Sequence, residues 1–322
     1  MPQNTNLNVS PYFDDFVDSK NYHKVLFKPG FPVQARELTT LQTILQDQVE
    51  KFGQHFFKEG SMVIPGGVTY DPSYTAVKID PTFLNIPVDS YTKVLVDNKI
   101  QIKGETTGVE ATVVNRLTSS ESIEGFDTLY IKYTKSGTDG ETNVFADGEN
   151  LITLSSINYA NTSIAANGQF ARSIISDSTS TGAALSVSEG VFFIRGYFVK
   201  NVTSTIILDQ YSNTPSCRAG FLLKEEIVRP SLVNSDLYDN AKGFSNESAP
   251  GADRFKLSTR LHKKSLTDND DTNFVELLRV ENGDVEEITS VTEYNTFADE
   301  LARRTYDESG DYYVRPFSLE LR

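Results

Sequence analysis

The chain has 322 residues, of which 38% are apolar and 23% charged, with 44 acidic against 30 basic residues and a net charge of −14. A chain of this length forms two or three domains with sizeable cores. The acidic surplus argues against nucleic acid or an anionic membrane as a partner, because both call for concentrated positive charge. A lone cysteine, Cys217, excludes an internal disulfide.

Residues 1–33 read as an irregular arm, polar at first and then punctuated by Tyr12, Phe13, Phe16, Tyr22, Phe27 and Phe31. Rings in a loop-like stretch need a surface to cover, either on their own domain or on a neighbouring subunit. The start lacks both the basic end and the apolar core of a secretory signal, so synthesis in the cytoplasm is expected. A helix is predicted from about Ala35 to Phe57. Leu38, Leu41, Leu45, Val49, Phe52 and Phe56 recur at spacings of three and four, which puts them on one face. Gln42, Gln46, Asp47, Glu50 and Lys51 lie elsewhere on the helix, and Ile44 widens the stripe. Two uses of that face compete: packing on the chain's own sheet, the commoner use of a single stripe, and a self-association or docking seam.

Past the helix the pattern changes to short strands. Glu59-Gly-Ser-Met-Val-Ile-Pro-Gly-Gly67 aligns with Glu189-Gly-Val-Phe-Phe-Ile-Arg-Gly-Tyr197, and at the same offset Thr75–Ile79 meets Thr205–Asp209. Each copy reads as a strand, a glycine-containing turn and a returning strand. The apolar run 191–199 is broken by Arg195 and is too short to span a bilayer. Between the copies lies a Gly/Thr/Ser-rich segment, Gly104–Val114, then a two-sided strand at Asp127–Tyr133, a turn at Ser136-Gly-Thr-Asp-Gly140 and the stretch Leu151–Leu154. They suggest a small inserted β subdomain over 104–156.

Phe221–Val228 is a further strand, and 229–253, rich in Pro, Ser, Asn, Asp and Gly, is a long connection. The last unit has strands near Arg254–His262 and Asn273–Val280, a turn at Glu281–Asp284, and a helix from about Val291 to Tyr306. Ser290-Val-Thr-Glu293 has capping-box spacing there, and Phe297 and Leu301 mark the expected buried face. The ending, Val314–Arg322, reads as mid-strand, which suggests a piece of a longer protein. The predicted fold is α+β, mainly β. It divides into an arm and long helix (1–57), a first β unit (58–103), the insertion (104–156), a second β unit (157–228), the connection (229–253) and a C-terminal α+β unit (254–322).

No catalytic constellation is apparent. His23, His55 and His262 stand alone, with no second His within four residues to build a zinc face. Cys217 has no histidine nearby in sequence. Neither a Walker-type loop nor Gly-x-Gly-x-x-Gly occurs. Asp268-Asn-Asp-Asp271 clusters hard oxygen ligands but lacks the Gly and the distal acid of an EF-hand loop. The pairs Asp14-Asp15, Glu225-Glu226 and Glu286-Glu287 read as solvated charge. A glycosidase pair need not be local in sequence, but the lack of Trp lowers that reading. The expected cofactor and metal content is none.

Residues Asn8–Asp15, Phe27–Gln48, Lys58–Gly67, Gly190–Tyr211 and Ala302–Gly310, above all Pro32-Val-Gln-Ala-Arg-Glu-Leu-Thr-Thr-Leu-Gln-Thr-Ile-Leu-Gln46, resemble an uncharacterised family of virion structural proteins from contractile-tailed phages, notably T4-like phages of cyanobacteria. The resemblance implies a place in the baseplate or tail-fibre region of a virion, assembly rather than catalysis, and other tail proteins as partners. It also implies a homo-oligomer, with a trimer favoured because fibres are commonly threefold. The alternative is a host-surface module whose 104–156 or 229–253 segment contacts polysaccharide. The family carries no established functional residues to transfer.

Overall fold

The computed structural model describes residues 3–64, 66–231, 237, 251–289 and 295–310. The arm contains a 3-10 turn at Asp18–Lys20 and leads into α1 (Ala35–Phe56). Then come β1 (Met62–Ile64), the long β2 (Val68–Ile79), a ribbon of β3 (Thr82–Phe83) and β4 (Ile86–Pro87), and α2 (Asp89–Asp97). β5 (Gln101–Gly104), β6 (Glu110–Leu117), β7 (Asp127–Lys135) and β8 (Asn150–Thr153) precede a second ribbon, β9 (Ile157–Tyr159) and β10 (Thr162–Ile164). β11 (Gln169–Arg172), β12 (Thr179–Val187), β13 (Gly190–Ile194), β14 (Tyr197–Asn201) and β15 (Ser204–Asp209) follow. The chain continues through β16 (Cys217–Val228), β17 (Arg254–Lys264), β18 (Phe274–Glu281), β19 (Asp284–Ile288) and α3 (Asn295–Ser309). The fold is α+β and mainly β.

Eight strands make the main sheet in the order β11-β8-β5-β6-β7-β2-β12-β15, each neighbour antiparallel. β1-β13-β14 form a three-stranded sheet and β17-β16-β18-β19 a four-stranded one. Two cores result. One gathers Val77, Ile79, Tyr91, Leu95, Ile102, Leu129 and Phe170 between the sheet and α2. The other gathers Met62, Val68, Leu185, Phe192, Leu208, Phe221 and Leu278. β2 is long enough to serve both, with Val68 in the second and Val77 and Ile79 in the first.

The segment 104–156 does not stand apart as an insertion. β7 sits between β6 and β2, so its strands complete the main sheet and share its core. The four-stranded sheet likewise crosses the expected boundary at 228, because β16 pairs with β17 and β18. The duplicated segments face each other: Met62 pairs with Phe192, its equivalent in the alignment, which places a local twofold between the copies. Their outer strands β2 and β15 both flank β12. Only the second copy closes a hairpin, β13–β14. β1, three residues long, pairs across the twofold instead, where Gly66 and Gly190 pack so closely that a Cβ on Gly190 would lie 2.8 Å from the Ile64 carbonyl oxygen. The turn expected at Glu281–Asp284 joins β18 to β19, with positive φ at Asn282 and Gly283 as a two-residue hairpin loop requires. Most of the 229–253 connection, the 290–293 capping box, the Phe297 side chain and the terminal segment from 311 lie outside the described residues. Leu301, expected to be buried, is 48% exposed.

Glycine in a helix interior costs about 1 kcal/mol relative to alanine, so Gly53→Ala would ordinarily stabilise α1. Here the added methyl would enter the Phe193 ring. Overpacking of that kind costs about 1–3 kcal/mol. The expected outcome is a lower urea midpoint for Gly53→Ala, partly recovered when Phe193→Leu is combined with it. A rise in the midpoint of the single variant would show that α1 does not rest on that ring.

Candidate functional site

α1 begins with a capping box in which Gln34 N–H donates to Glu37 Oε2 at 2.9 Å. Its surface then divides into three stripes, each at the three- and four-residue spacing that places side chains on one helix face. Gln46, Glu50, Gly53 and the following Phe57 meet the β13–β14 hairpin. Gln46 Nε2 donates to the Gly196 carbonyl at 2.7 Å, and Glu50 lies against Gly196. Gly53 admits the Phe193 ring, whose centroid is 5.8 Å from that of Phe57. Burial there pushes the Glu50 carboxyl up.

Arg36, Thr40, Thr43, Asp47 and Lys51 form the second stripe, and the arm lies along it. Arg36 pairs with Asp15 at 3.2 Å, Asp15 N–H donates to Thr40 Oγ1 at 3.3 Å, and Thr43 donates to the buried Asp14 carboxylate. Lys51 bridges Asp18 at 2.5 Å and Asp47 at 2.9 Å. A cleft of about 370 Å³ opens between Asp15, Lys20 and Tyr22 of the arm and Arg36 and Thr40 of the helix.

The third stripe is the apolar one, and it faces outward. Leu38, Leu45, Val49 and Phe52 are 48%, 60%, 42% and 65% exposed, while Leu41 and Phe56 are half-buried. The reading of this face as core is therefore wrong: Ile44 and Gly53 are the buried residues of α1. Of the 23 large apolar residues exposed among the described residues, 12 lie between Val9 and Phe52. The arm adds Phe13, Tyr22, Leu26, Phe27 and Phe31 to the helix stripe, so this end of the molecule carries the largest store of uncovered apolar surface. Where exposed apolar residues form a continuous patch they mark places where another surface docks.

A buried ion pair that sequence reasoning missed holds the start of the arm. Arg195, 2% exposed, pairs through Nη1 with Glu225, and its Nη2 donates to the Thr272 carbonyl at 2.8 Å and to Asn273 Oδ1 at 2.6 Å. Glu225 also accepts from Asn4 N–H at 3.0 Å and from the Thr5 N–H and hydroxyl at 2.7 and 2.6 Å. Its one sequence signal was an arginine inside an apolar run.

The residues examined for chemistry stay apart. His23, His55 and His262 are exposed, and among the described residues no three His, Cys, Asp or Glu side chains converge on a metal position. Cys217 is buried, which pushes its thiol up, away from the reactive thiolate. Asp271 is bound to Arg218 at 2.7 Å and Asp268 to Lys264 at 3.3 Å, so those carboxylates serve the chain's own cations. Glu225 and Glu226 point apart, the latter to Lys224 and Lys256. Among the described residues no helix is long and apolar enough to cross a membrane.

The profile of a family described as a domain of unknown function, DUF4815, matches residues 10–118 and 151–321. The unmatched stretch contains β7. No curated protein and no solved structure matches the chain.

Burial pushes the Glu225 carboxyl up, but the hydrogen bonds from Thr5, Asn4 and Arg195 outweigh it, and the group titrates below its ordinary 4.5. A depressed carboxyl contributes stability that is full above its unfolded value and is lost as pH falls through the folded one. Hydrogen-exchange protection at Asn4 and Thr5 should therefore hold above pH 4.5 and vanish below it. Glu225→Gln should remove it at every pH and destabilise the fold by about 3–5 kcal/mol, because Arg195 is left buried without a counter-charge. Protection unchanged in Glu225→Gln would mean the arm is held elsewhere.

Proposed function

Taking as premise that the chain belongs to the DUF4815 family, we propose that this protein is a structural component of a tailed-phage virion, placed in the baseplate or tail-fibre region and acting by assembly and anchoring. The apolar stripe of α1 and the aromatic arm beside it are its docking face, and other tail proteins are the partners. Copies of the chain form a closed homo-oligomer, with threefold symmetry favoured. The observation that carries this reading is the outward apolar stripe. The helix already rests on the body through Gln46, Glu50 and Gly53, so Leu38, Leu45, Val49 and Phe52 are not needed to hold it there. The resemblance of residues Asn8–Asp15 and Phe27–Gln48 to phage virion proteins falls on the same arm and helix.

Leu45 and Phe52 are exposed, so replacing both with Asp should shift the unfolding midpoint little, surface changes being usually within about 0.5 kcal/mol. The expected result is that the double variant keeps its melting profile and loses binding to tail particles assembled without the native protein. Immunogold labelling of intact and disrupted phage should place the wild type at the distal end of the tail. Undiminished incorporation of the folded double variant would exclude this face as the anchor. Label confined to the capsid or neck would overturn the placement.

A further inference from the structure

The four-stranded sheet ends in two edges of opposite charge. β17 carries five Lys or Arg residues and no acid over Arg254–Lys264. β19 carries Asp284, Glu286 and Glu287 and no base, and Glu281 lies beside it across the turn. Each is the last strand on its side of the sheet. Phe255 and Leu261 of β17 turn inward, the former stacking near Tyr197 at 5.7 Å, so Arg254, Lys256, Arg260 and His262 share the outer face and are exposed.

Part of this charge is already used within the chain: Lys256 pairs with Glu226, Lys264 with Asp268, and Lys263 donates to the Leu208 carbonyl. Among the described residues Arg254 and Arg260 have no carboxylate within ion-pair distance, and Glu281 and Asp284 have no cation, whereas Glu287 stands opposite Arg279 in the ladder. Asp284 stands directly opposite Glu281 in the ladder, a like-charge pairing that destabilises the isolated sheet. Charged edges commonly protect a sheet from adding further strands. That protection rests on like charges meeting when copies approach, and it reverses when one edge is basic and the other acidic. Strand direction fits as well. The three pairings β17–β16, β16–β18 and β18–β19 are antiparallel, so β17 and β19 run oppositely. A second copy's β17 laid along β19 continues the antiparallel alternation.

We propose that copies of this chain join edge to edge, β17 of one pairing with β19 of the next over at most the five residues of β19. The interface is heterologous, one patch meeting a different one, and such contacts close into rings when the rotation allows. It is separate from the α1 face, so either surface can fail without the other.

The test is a charge swap on the full chain, read by analytical ultracentrifugation at low and high salt. Arg254→Glu with Arg260→Glu makes both edges acidic, and Asp284→Lys with Glu287→Lys makes both basic. Each pair should raise the concentration of half-association roughly tenfold or more at low salt, with the difference shrinking at high salt. An equimolar mixture of the two variants should associate where neither does alone, and the chain carrying all four changes should recover wild-type association. The same series in the Leu45→Asp, Phe52→Asp background should give the same shifts. The proposal is overturned if the wild type stays monomeric, if association ignores the reversals, or if neither the mixture nor the fourfold variant recovers it while melting curves show folded protein.

Discussion

The structure hangs on one buried charge. Arg195 sits in the two-residue loop of the β13–β14 hairpin with φ 53°, followed by Gly196 at φ 79°. A left-handed backbone costs a non-glycine residue about 1–2 kcal/mol, and a guanidinium in the interior costs far more unless it is paired and hydrogen-bonded. Contacts with remote parts of the chain offset both costs, with only the buried Arg195 Nε left without a hydrogen bond. Glu59 accepts the Arg195 backbone N–H at 2.7 Å, Glu225 on β16 takes the charge, and Thr272 and Asn273 accept from the far nitrogen. A planar fork with donors in fixed directions can bind Glu225, Thr272 and Asn273 at once, and a lysine could not. The segment after α1, the hairpin, the four-stranded sheet and, through Glu225, the arm are thus defined by one side chain.

That residue also shows where a sequence is hard to read. Between Ile194 and Gly196 an arginine looks like an interruption of an apolar strand, and the matching position in the first copy holds Pro65. Nothing local says that the carboxylate partner lies thirty positions on, because the pairing depends on how β16 crosses the hairpin. The duplicated segments themselves were legible, as were α1, β17, β18 and the turn at Asn282-Gly283, whose signals are periodic or stereochemical and need no partner. That the copies face each other across Met62 and Phe192 was not legible, since sequence similarity carries no register between segments. The strands of 104–156 were found but assigned to a body of their own. Their place in the main sheet is fixed by β7 pairing with β2, a contact between stretches separated by an intervening helix.

α1 shows the same limit from another side. Hydrophobic periodicity identified the helix and its apolar face, yet direction was lost, because the face that meets the body is Gln46, Glu50 and Gly53. A helix can rest on a hairpin through a glycine that admits a ring and a glutamine that satisfies a turn carbonyl, and neither feature scores as hydrophobic. The arm takes a second side through carboxylate contacts to Thr43, Arg36 and Lys51 and a backbone N–H to Thr40. With these contacts made by small and polar groups, Leu38, Leu45, Val49 and Phe52 stay exposed, as the proposed docking face requires.

The same geometry decides where the molecule can yield. β2 pairs with β12 along most of its length and carries side chains into both cores, Val68 into one and Val77 and Ile79 into the other. Moving one lobe against the other would break that ladder and expose core surface from both sides at once. The body therefore behaves as one piece under load. The arm's rings are largely uncovered, and its contacts with α1 are hydrogen bonds and ion pairs, several at exposed positions where such pairs contribute little. An arm fastened this lightly on a paired body can rearrange if the proposed docking face beside α1 is covered. In that event the Asp14, Asp15 and Asp18 contacts are the ones that would exchange, while the Glu225 anchor, buried and fully bonded, keeps the arm's first residues in place.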